Sequence, residues 1–259
     1  MKLTFLGTGT STGVPQINCD CHTCTSADTR DKRLRSSALL TLDDSRQILI
    51  DCGPDFRAQA LEHPSTNLSA VLLTHTHYDH VGGIDDLRPF CYKHPGGLPL
   101  YARQDVIDDQ RQRMPYSFAS HLYPGVPTFN TIAIEPGKPF TVDGDIPVLP
   151  VEVLHYKLPI LGFRFGPLAY VTDCKTMPPE TMESLRGLDT LVLNALRHEE
   201  HISHLNLRQA LDIIDQLKPR RAFLTHLSHD MGRHADTTPT LPPGVQIATD
   251  GLTISIPSD

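Results

Sequence analysis

Residues 74–83, THTHYDHVGG, place three histidines and one aspartate within six positions, directly after the apolar run AVLL. The pattern predicts a turn that leaves a buried strand and enters a helix. His75 and His77 alternate by two and can face one metal ion, whereas Asp79 and His80 come round the turn and can face another. Imidazole and carboxylate groups suit Zn, Mn or Fe, and mixed sets are common in hydrolytic sites with two metals.

Three further residues that can bind metal stand at the ends of other apolar β-type runs. His155 ends VLPVEVLH, Asp173 ends PLAYVTD, and His226 ends RAFLTH. A lone histidine in such a place is more often structural, but three such ends beside an H-x-H-x-D-H motif favour a metal centre. If the strand ends converge on one rim, all seven groups meet there.

A second cluster, CDCHTC, brings Cys19, Cys21 and Cys24 onto a turn near the N-terminus. Three thiolates suit a closed zinc site, but tetrahedral zinc needs a fourth donor. His22 is local but crowded, and His229 lies three residues beyond His226 on the same loop. An Fe–S cluster would want a fourth cysteine, and the remaining ones lie far apart in the sequence.

Length and charge narrow the class of protein. The 259 residues can bury a large core, and a formal net charge of −7 argues against a nucleic-acid partner, since such surfaces are usually basic. No apolar run approaches the roughly 20 residues of a membrane span, and the N-terminus lacks the apolar core of a signal peptide. We therefore expect a cytoplasmic protein without a membrane partner.

The elements that must position these residues are mostly short strands. Helical patterns occupy residues 54–62, 103–113, 178–186 and 207–217, the last with an apolar face and with Asn206 as its expected N-cap. This order predicts two sheets packed together with helices outside, in one domain over residues 1–259. Residues 88–144, rich in Pro and Gly and weak in periodicity, are interpreted as a variable insertion over one rim. The β-type runs are KLTFLG, SALLTL, QILIDCG, AVLLTH, PVLPVEV, LGFRF, LAYVTD, TLVLNAL, RAFLTH and LTISI.

The order of THTHYDH, His155, VTD and LTH resembles the metallo-β-lactamase superfamily over nearly the whole chain. The resemblance implies an α+β fold, the four-layer αββα sandwich, and two divalent metal ions. By it, LIDCG supplies Asp51 to brace the metal loop. The first ion would be held by His75, His77 and His155, and the second by Asp79, His80 and His226, with Asp173 bridging them.

The aspartate at position 173 separates branches of this superfamily. The antibiotic-hydrolysing branch usually places a cysteine at that ligand, whereas phosphodiesterases, glyoxalase II and lactonases share the bridging carboxylate. Cys174 is only a neighbour and is interpreted as core packing. The segments GTG…S.GVP…C.C..C and LTH.SH resemble PhnP-type phosphodiesterases. That resemblance implies one structural Zn held by Cys19, Cys21, Cys24 and His229.

The expected reaction is hydrolysis of a small phosphodiester, with a cyclic ribose phosphate as the sharper version implied by the PhnP resemblance. A hydroxide held by the two metals would attack, and a general acid would protonate the leaving alkoxide. In RHEEHISHLNL, SHLN resembles the H-x-T-type motif of the phosphodiesterases and favours His204, with His201 as the second candidate. Asp79 joins these two histidines in the predicted catalytic set.

Three more functions stay open at this point. A tRNA 3′-processing endonuclease shares the seven ligands but typically carries a long basic arm, and this chain is acidic. The sequence also agrees with a thioester or lactone hydrolase of the glyoxalase II type and with a non-catalytic PqqB-like protein. It leaves open whether the chain forms a homodimer. Four basic residues of the middle region are unranked candidates for phosphate binding: Arg88, Lys93, Arg103 and Arg113.

Overall fold

Two sheets packed face to face carry the fold. The computed structural model describes residues 1–119 and 121–257, so residue 120 of the predicted insertion and the last two residues lie outside it. The strands of the first sheet are β1 (Lys2–Gly7), β2 (Ser37–Thr41), β3 (Gln47–Ile50), β4 (Leu68–Leu72), β5 (Leu98–Ala102), β6 (Phe129–Ala133) and β14 (Thr253–Ser255). Those of the second are β7 (Phe140–Val142), β8 (Ile146–His155), β9 (Leu158–Phe165), β10 (Leu168–Val171), β11 (Thr190–Asn194), β12 (Arg221–Thr225) and β13 (Val245–Ile247).

Strand direction brings the predicted ligands to one edge. The first sheet has the order β14-β1-β2-β3-β4-β5-β6, and β3 to β6 run parallel. The second has the order β13-β12-β11-β10-β9-β8-β7, in which β10 to β13 run parallel and the two antiparallel pairs β8–β9 and β9–β10 align β8 with β10. The carboxyl ends of β3, β4, β8, β10 and β12 therefore lead into the same rim.

Apolar side chains fill three layers. Leu3, Phe5 and Phe163 belong to the core between the sheets, while the outer face of the first sheet packs against the first helices and that of the second against Leu207 and Ala210. The helices are α1 (Phe56–Glu62), α2 (Tyr78–Val81), α3 (Arg88–Cys91), α4 (Gln104–Arg113), α5 (Pro179–Ser184), α6 (Leu207–Leu217) and α7 (His234–Thr237). This arrangement confirms the predicted αββα sandwich.

The middle of the chain is more regular than its sequence indicated. Within residues 88–144, β5 and β6 extend the first sheet and β7 extends the second. They were missed because β6 shows no clean alternation of buried and exposed residues and β7 is only three residues long. That this range varies between related chains stays a prediction. In the described part of the chain, no helix has the length and apolar character needed to cross a membrane.

Helix α6 begins where the sequence predicted it. The Asn206 side chain accepts a hydrogen bond from the Gln209 backbone N–H at 2.9 Å, and the Gln209 side chain accepts one from the Asn206 N–H at 3.2 Å. Asn206 also donates to the His198 carbonyl at 3.0 Å, so it ties the preceding histidine-rich loop to the helix.

Asn206→Ala should lower the free energy of unfolding by about 1 kcal/mol, because the helix loses its cap. Urea denaturation would measure the loss. Asn206→Asp keeps an acceptor at the cap and is the control, expected to lose less. Equal losses in the two variants would contradict a capping role.

Candidate metal centre

Strained backbone marks the rim where the strands end. Asp51 follows β3 with φ 61°, Asp173 follows β10 with φ 57°, and His226 follows β12 with φ 56°. The left-handed region costs an L-residue about 1–2 kcal/mol. Such strain persists where the surroundings enforce it and clusters at functional sites. Three strand-end residues that can bind metal are therefore turned out of the extended conformation at the same rim.

Asp51 holds the metal loop from behind. Its fully buried carboxylate accepts hydrogen bonds from the Thr74 N–H and Oγ1, both at 2.9 Å, and lies 2.6 Å from His80 Nδ1. The two loops also approach closely at Gly53, where a Cβ would come within 2.0 Å of the Asp79 carbonyl oxygen. The glycine of LIDCG thus permits the contact through which Asp51 braces the loop.

Three histidines are held through Nδ1 and so present Nε2 to the rim. His75 Nδ1 is 2.9 Å from Thr74 Oγ1, His80 Nδ1 is bound to Asp51, and His155 Nδ1 donates to the Asp173 carbonyl at 3.0 Å. A partner of this kind fixes the tautomer and the ring orientation of a metal ligand. Among the described residues, Nε2 of His75 and of His80 are buried without a hydrogen-bond partner.

Asp173 stands at the centre of the cluster. Its Oδ1 lies 3.1 Å from His226 Nδ1 and 3.3 Å from His80 Nε2, and its Oδ2 lies 3.1 Å from His204 Nε2. This carboxylate belongs to two groups of possible metal donors, and within each group all ligand atoms lie within 4.8 Å of one another. The groups are Asp79, His80, Asp173 and His226, and His155, Asp173 and His204.

Among these histidines, His80 is the one that supplies positive charge beside the carboxylates. Burial lowers the pKa of His75 and of His155 and takes the pKa of His226 to about 3, so these rings are neutral and keep a lone pair. Burial opposes ionisation of His80 too, yet the nearby carboxylates raise its pKa well above the usual value. The neighbouring histidines hold the pKa of Asp173 well below its usual range despite burial.

This donor set fits divalent cations. Buried carboxylates usually need a paired cation, and the ion pairs of Asp173 in the described residues are all with histidines. A divalent ion would supply the positive charge that His80 otherwise provides. Orphaned imidazole nitrogens beside ionised carboxylates are the nitrogen and oxygen donors that Zn, Mn and Fe accept.

The first predicted triad is gathered more loosely than the second. The His77 ring is exposed and lies 4.6 Å from the His75 ring and 5.0 Å from the His155 ring, measured between centroids. His75 Nε2 is 3.9 Å from Asp173 Oδ2. His75 and His77 therefore line the same wall as His155, although neither belongs to the two tight donor groups found in the described residues.

His204 and His201 occupy different depths. The buried His204 faces Asp173, and its Nδ1 lies 3.1 Å from His201 Nδ1. Ser203 Oγ lies 3.1 Å from His204 Nδ1 and 3.2 Å from His201 Nδ1. His201 is partly exposed, so the chain of polar atoms leads from the surface to the carboxylate at the centre.

Two hydroxyls beside His226 were missed from the sequence. Thr10 Oγ1 is 3.1 Å from His226 Nε2, and Ser36 Oγ is 3.0 Å from His226 Nδ1. They lie 216 and 190 positions away in the chain, and nothing in their local sequence marks them. The glycine-rich segment LGTGTSTG, which suggested only turns, thus also delivers a contact to this ring.

The four residues predicted to hold the structural zinc also lie close together. The ligand atoms of Cys19, Cys21, Cys24 and His229 lie within 4.8 Å of one another, and both Cys19 Sγ and Cys21 Sγ are 3.2 Å from His229 Nδ1. Hydrogen bonds from the Cys24 N–H and from His229 lower the pKa of Cys21 to about 6. Burial raises the pKa of Cys24 to about 11, so the thiolate character lies at Cys21. A complete set of four donors fits a closed zinc site.

Comparison with known proteins decides the family. The sequence profile described as Beta-lactamase superfamily domain matches residues 46–227. The chain belongs to this superfamily. With the αββα sandwich and the histidine–aspartate rim, membership identifies a metal-binding hydrolase of the metallo-β-lactamase fold.

Individual relatives refine the resemblance. A solved structure titled "Crystal Structure of a New Diphosphatase from the PhnP Family" superposes with a TM-score of 0.90 and 39% identity, covering 99% of this chain and 98% of that one. The resemblance to PhnP-type proteins is thereby confirmed. Zn(2+)-bound PqqB from Methylobacterium extorquens superposes with a TM-score of 0.80 at 20% identity, over 99% and 100% of the two chains, which shows the shared fold.

A curated relative has a different name. A protein of Porphyromonas gingivalis named "Octanoyltransferase" is 44% identical over 253 residues, which cover 97% of this chain but 51% of that protein. The chain therefore spans about half the length of this relative.

Cys21→Ser should remove about one equivalent of Zn and lower the melting temperature, because a structural zinc site contributes directly to folding. Elemental analysis and thermal unfolding would measure both effects. Cys91→Ser, which changes a thiol outside the cluster, is the control for zinc content. Unchanged zinc in the Cys21 variant would rule the site out.

Asp173→Ala should lose at least one of the metal ions at the histidine rim, because both donor groups share this carboxylate. Elemental analysis after dialysis would report the loss. Asp212→Ala, a change on α6 away from the rim, should retain all of them. A fully metallated Asp173 variant would contradict the shared-carboxylate interpretation.

Proposed function

We propose that the chain hydrolyses a small phosphodiester with the help of two divalent ions at the histidine–aspartate rim. The observation that carries the proposal is the buried Asp173 carboxylate, which two groups of possible metal donors share, the second of them with His204 as a member. A cyclic ribose phosphate is the sharper version of the substrate. The PhnP-type relationship supports it.

The proposed ligands follow the family pattern. His75, His77 and His155 would hold one ion, and Asp79, His80 and His226 the other, with Asp173 between them. When bound, such ions act as Lewis acids that acidify water and neutralise charge on a phosphoryl oxygen. The donor set admits Zn, Mn or Fe, whereas Cys19, Cys21, Cys24 and His229 would hold one structural Zn. Asp79, in the predicted catalytic set, acts here as a ligand.

His204 is the proposed general acid. Its Nε2 faces the rim at 3.1 Å from Asp173 Oδ2, within reach of a phosphoryl group bound there. In the tautomer that carries its proton on Nε2, the ring can take up a proton at Nδ1, from Ser203 or His201, as it releases the one at Nε2. This difference in depth favours His204 over His201 as the donor and gives His201 the role of a relay.

A second candidate substrate is a diphosphate. The PhnP-family protein of similar structure is named a diphosphatase. A phosphoanhydride presents the same phosphoryl centre to the metal rim. Its leaving group is a phosphate, which needs less protonation than an alkoxide. The two reactions therefore make different demands on His204.

Several further activities have weaker support. The net charge of −7 disfavours a tRNA endonuclease, although human tRNase Z shares the fold at 20% identity. Octanoyl transfer is the activity in the name of the Porphyromonas gingivalis relative, but the match covers 51% of that protein. The unmatched half of the relative can carry that activity. Thioester hydrolysis and a PqqB-like role are the remaining candidates. We also propose a cytoplasmic location, since reduced thiols suit a zinc cluster there.

His204→Ala should slow diesters with poor alkoxide leaving groups by about 10²–10⁴-fold, because the leaving oxygen then departs unprotonated. Diesters of p-nitrophenol and diphosphates should lose much less. Steady-state kinetics on the two substrate classes would separate a proton donor from a binding residue.

His201→Ala is the matched variant and should lose less than His204→Ala on the poor leaving groups. Equal losses of His204→Ala on both substrate classes would take the acid role away from His204. Brisk thioester or octanoyl-transfer activity, with no cleavage of phosphodiesters or diphosphates under Mn, Zn or Fe, would overturn the proposed function.

A further inference from the structure

Two exposed tyrosines stand directly next to histidines of the metal rim in the chain. Tyr78 lies between His77 and Asp79 and is 63% exposed, and Tyr156 follows His155 and is 48% exposed. The His77 and His155 rings are 5.0 Å apart, so the chain directly next to each tyrosine meets at one wall. Large aromatic side chains left open to solvent beside a polar site can stack on a ligand.

Tyr156 adopts a conformation that tyrosine disfavours. His155 pairs with Leu158, so Tyr156 and Lys157 form a two-residue hairpin turn between β8 and β9, and Tyr156 has φ 56°. Glycine and asparagine ordinarily fill such a position because they tolerate the left-handed region. A bulky aromatic residue there weakens the turn, so a gain in function would have to offset the strain.

Tyr78 is set against the backbone of its own helix. A Cβ at Gly82 would come within 2.7 Å of both Cε2 and Cζ of the Tyr78 ring. The ring therefore lies directly over Gly82, which has no side chain to displace it. This contact orders an exposed ring before any ligand arrives, which lowers the entropy lost on binding.

One cationic group lies beside the Tyr156 ring, and another contacts the metal loop two residues before Tyr78. Lys157 Nζ lies 5.3 Å from the centroid of the Tyr156 ring. Arg113, which is paired with Asp109 at 2.6 Å, also donates to the carbonyl of Thr76 at 3.2 Å, inside the metal loop itself. The other basic candidates bind elsewhere, since Arg88 contacts Asp85 and Gly125, Lys93 contacts Thr66, and Arg103 contacts Asp105 and Glu152. Arg113 is therefore the best placed of the four to meet a substrate phosphate.

We propose that Tyr78 and Tyr156 bind an aromatic base, so that the ribose phosphate of the proposed substrate carries a base and the substrate is a small nucleotide-type phosphate ester. Arg113 and Lys157 would meet its anionic groups. The inference rests on the proposed function for the bond that is cleaved, but binding of the base can be measured separately. The acidic chain favours a mononucleotide or dinucleotide over a long RNA.

The test is calorimetric titration of the metal-loaded protein with adenosine 5′-monophosphate and with ribose 5-phosphate. The base is the group that distinguishes these two ligands. Stacking on an aromatic side chain should make the nucleotide bind about 5- to 150-fold more tightly. Tyr78→Ala and Tyr156→Gly should each reduce that preference by about 2- to 12-fold, half of its free energy, and leave ribose 5-phosphate binding nearly unchanged.

Three control variants separate stacking from structural damage. Tyr156→Gly should melt at the same temperature as the parent or higher, because glycine relieves the strained turn. Tyr156→Phe should keep the preference for the nucleotide. Tyr92→Ala should change nothing, since the chain after Tyr92 contacts Thr66 and Leu68 at the far end of β4.

The outcomes distinguish this inference from the proposed function. Equal binding of the two ligands, or tyrosine variants that weaken both alike, would overturn the inference even if phosphodiesters are cleaved. Binding that depends on the base without cleavage of any phosphodiester would overturn the proposed function alone. A single-stranded oligonucleotide that binds far more tightly than the mononucleotide would replace the small substrate with RNA.

Discussion

Three buried carboxylates in one rim, Asp51, Asp79 and Asp173, are the constraint on which the site depends. Ionised carboxylates in a protein interior are costly unless they are paired. Here the loops at the converging strand ends place all three around His80, which lies within 3.3 Å of each, and ions bound there would complete the balance. The strain at Asp51, Asp173 and His226 follows from this convergence, because each side chain must turn inward as its strand ends.

The cysteine cluster and the histidine–aspartate rim are connected through the backbone. His229 lies near Cys19 and Cys21, three residues after His226. Between these histidines, the Leu227 N–H donates to the Thr8 carbonyl at 2.9 Å and the Leu227 carbonyl accepts from the Thr10 N–H at 3.0 Å. A zinc ion that fixes the N-terminal loop would therefore also fix the backbone that carries His226.

The sequence predicted what depends on local spacing. The metal turn, the end of β12 at His226 and helix α6 all follow from short patterns, and the structure has them where those patterns lie. Long-range contacts leave no such local pattern. The sequence therefore could not predict the hydroxyls beside His226 or the addition of β5–β7 to the sheets. The sequence likewise gave no sign of the role proposed for Tyr156, because that role depends on its positive φ angle.

Anomalous diffraction from crystals of the metal-loaded protein, recorded across the metal absorption edges, tests the central claim most directly. The account predicts two peaks at the histidine–aspartate rim, one on each side of Asp173, and a third, of zinc, among Cys19, Cys21, Cys24 and His229. A single peak at the rim, or two peaks that share no contact with Asp173, would contradict it.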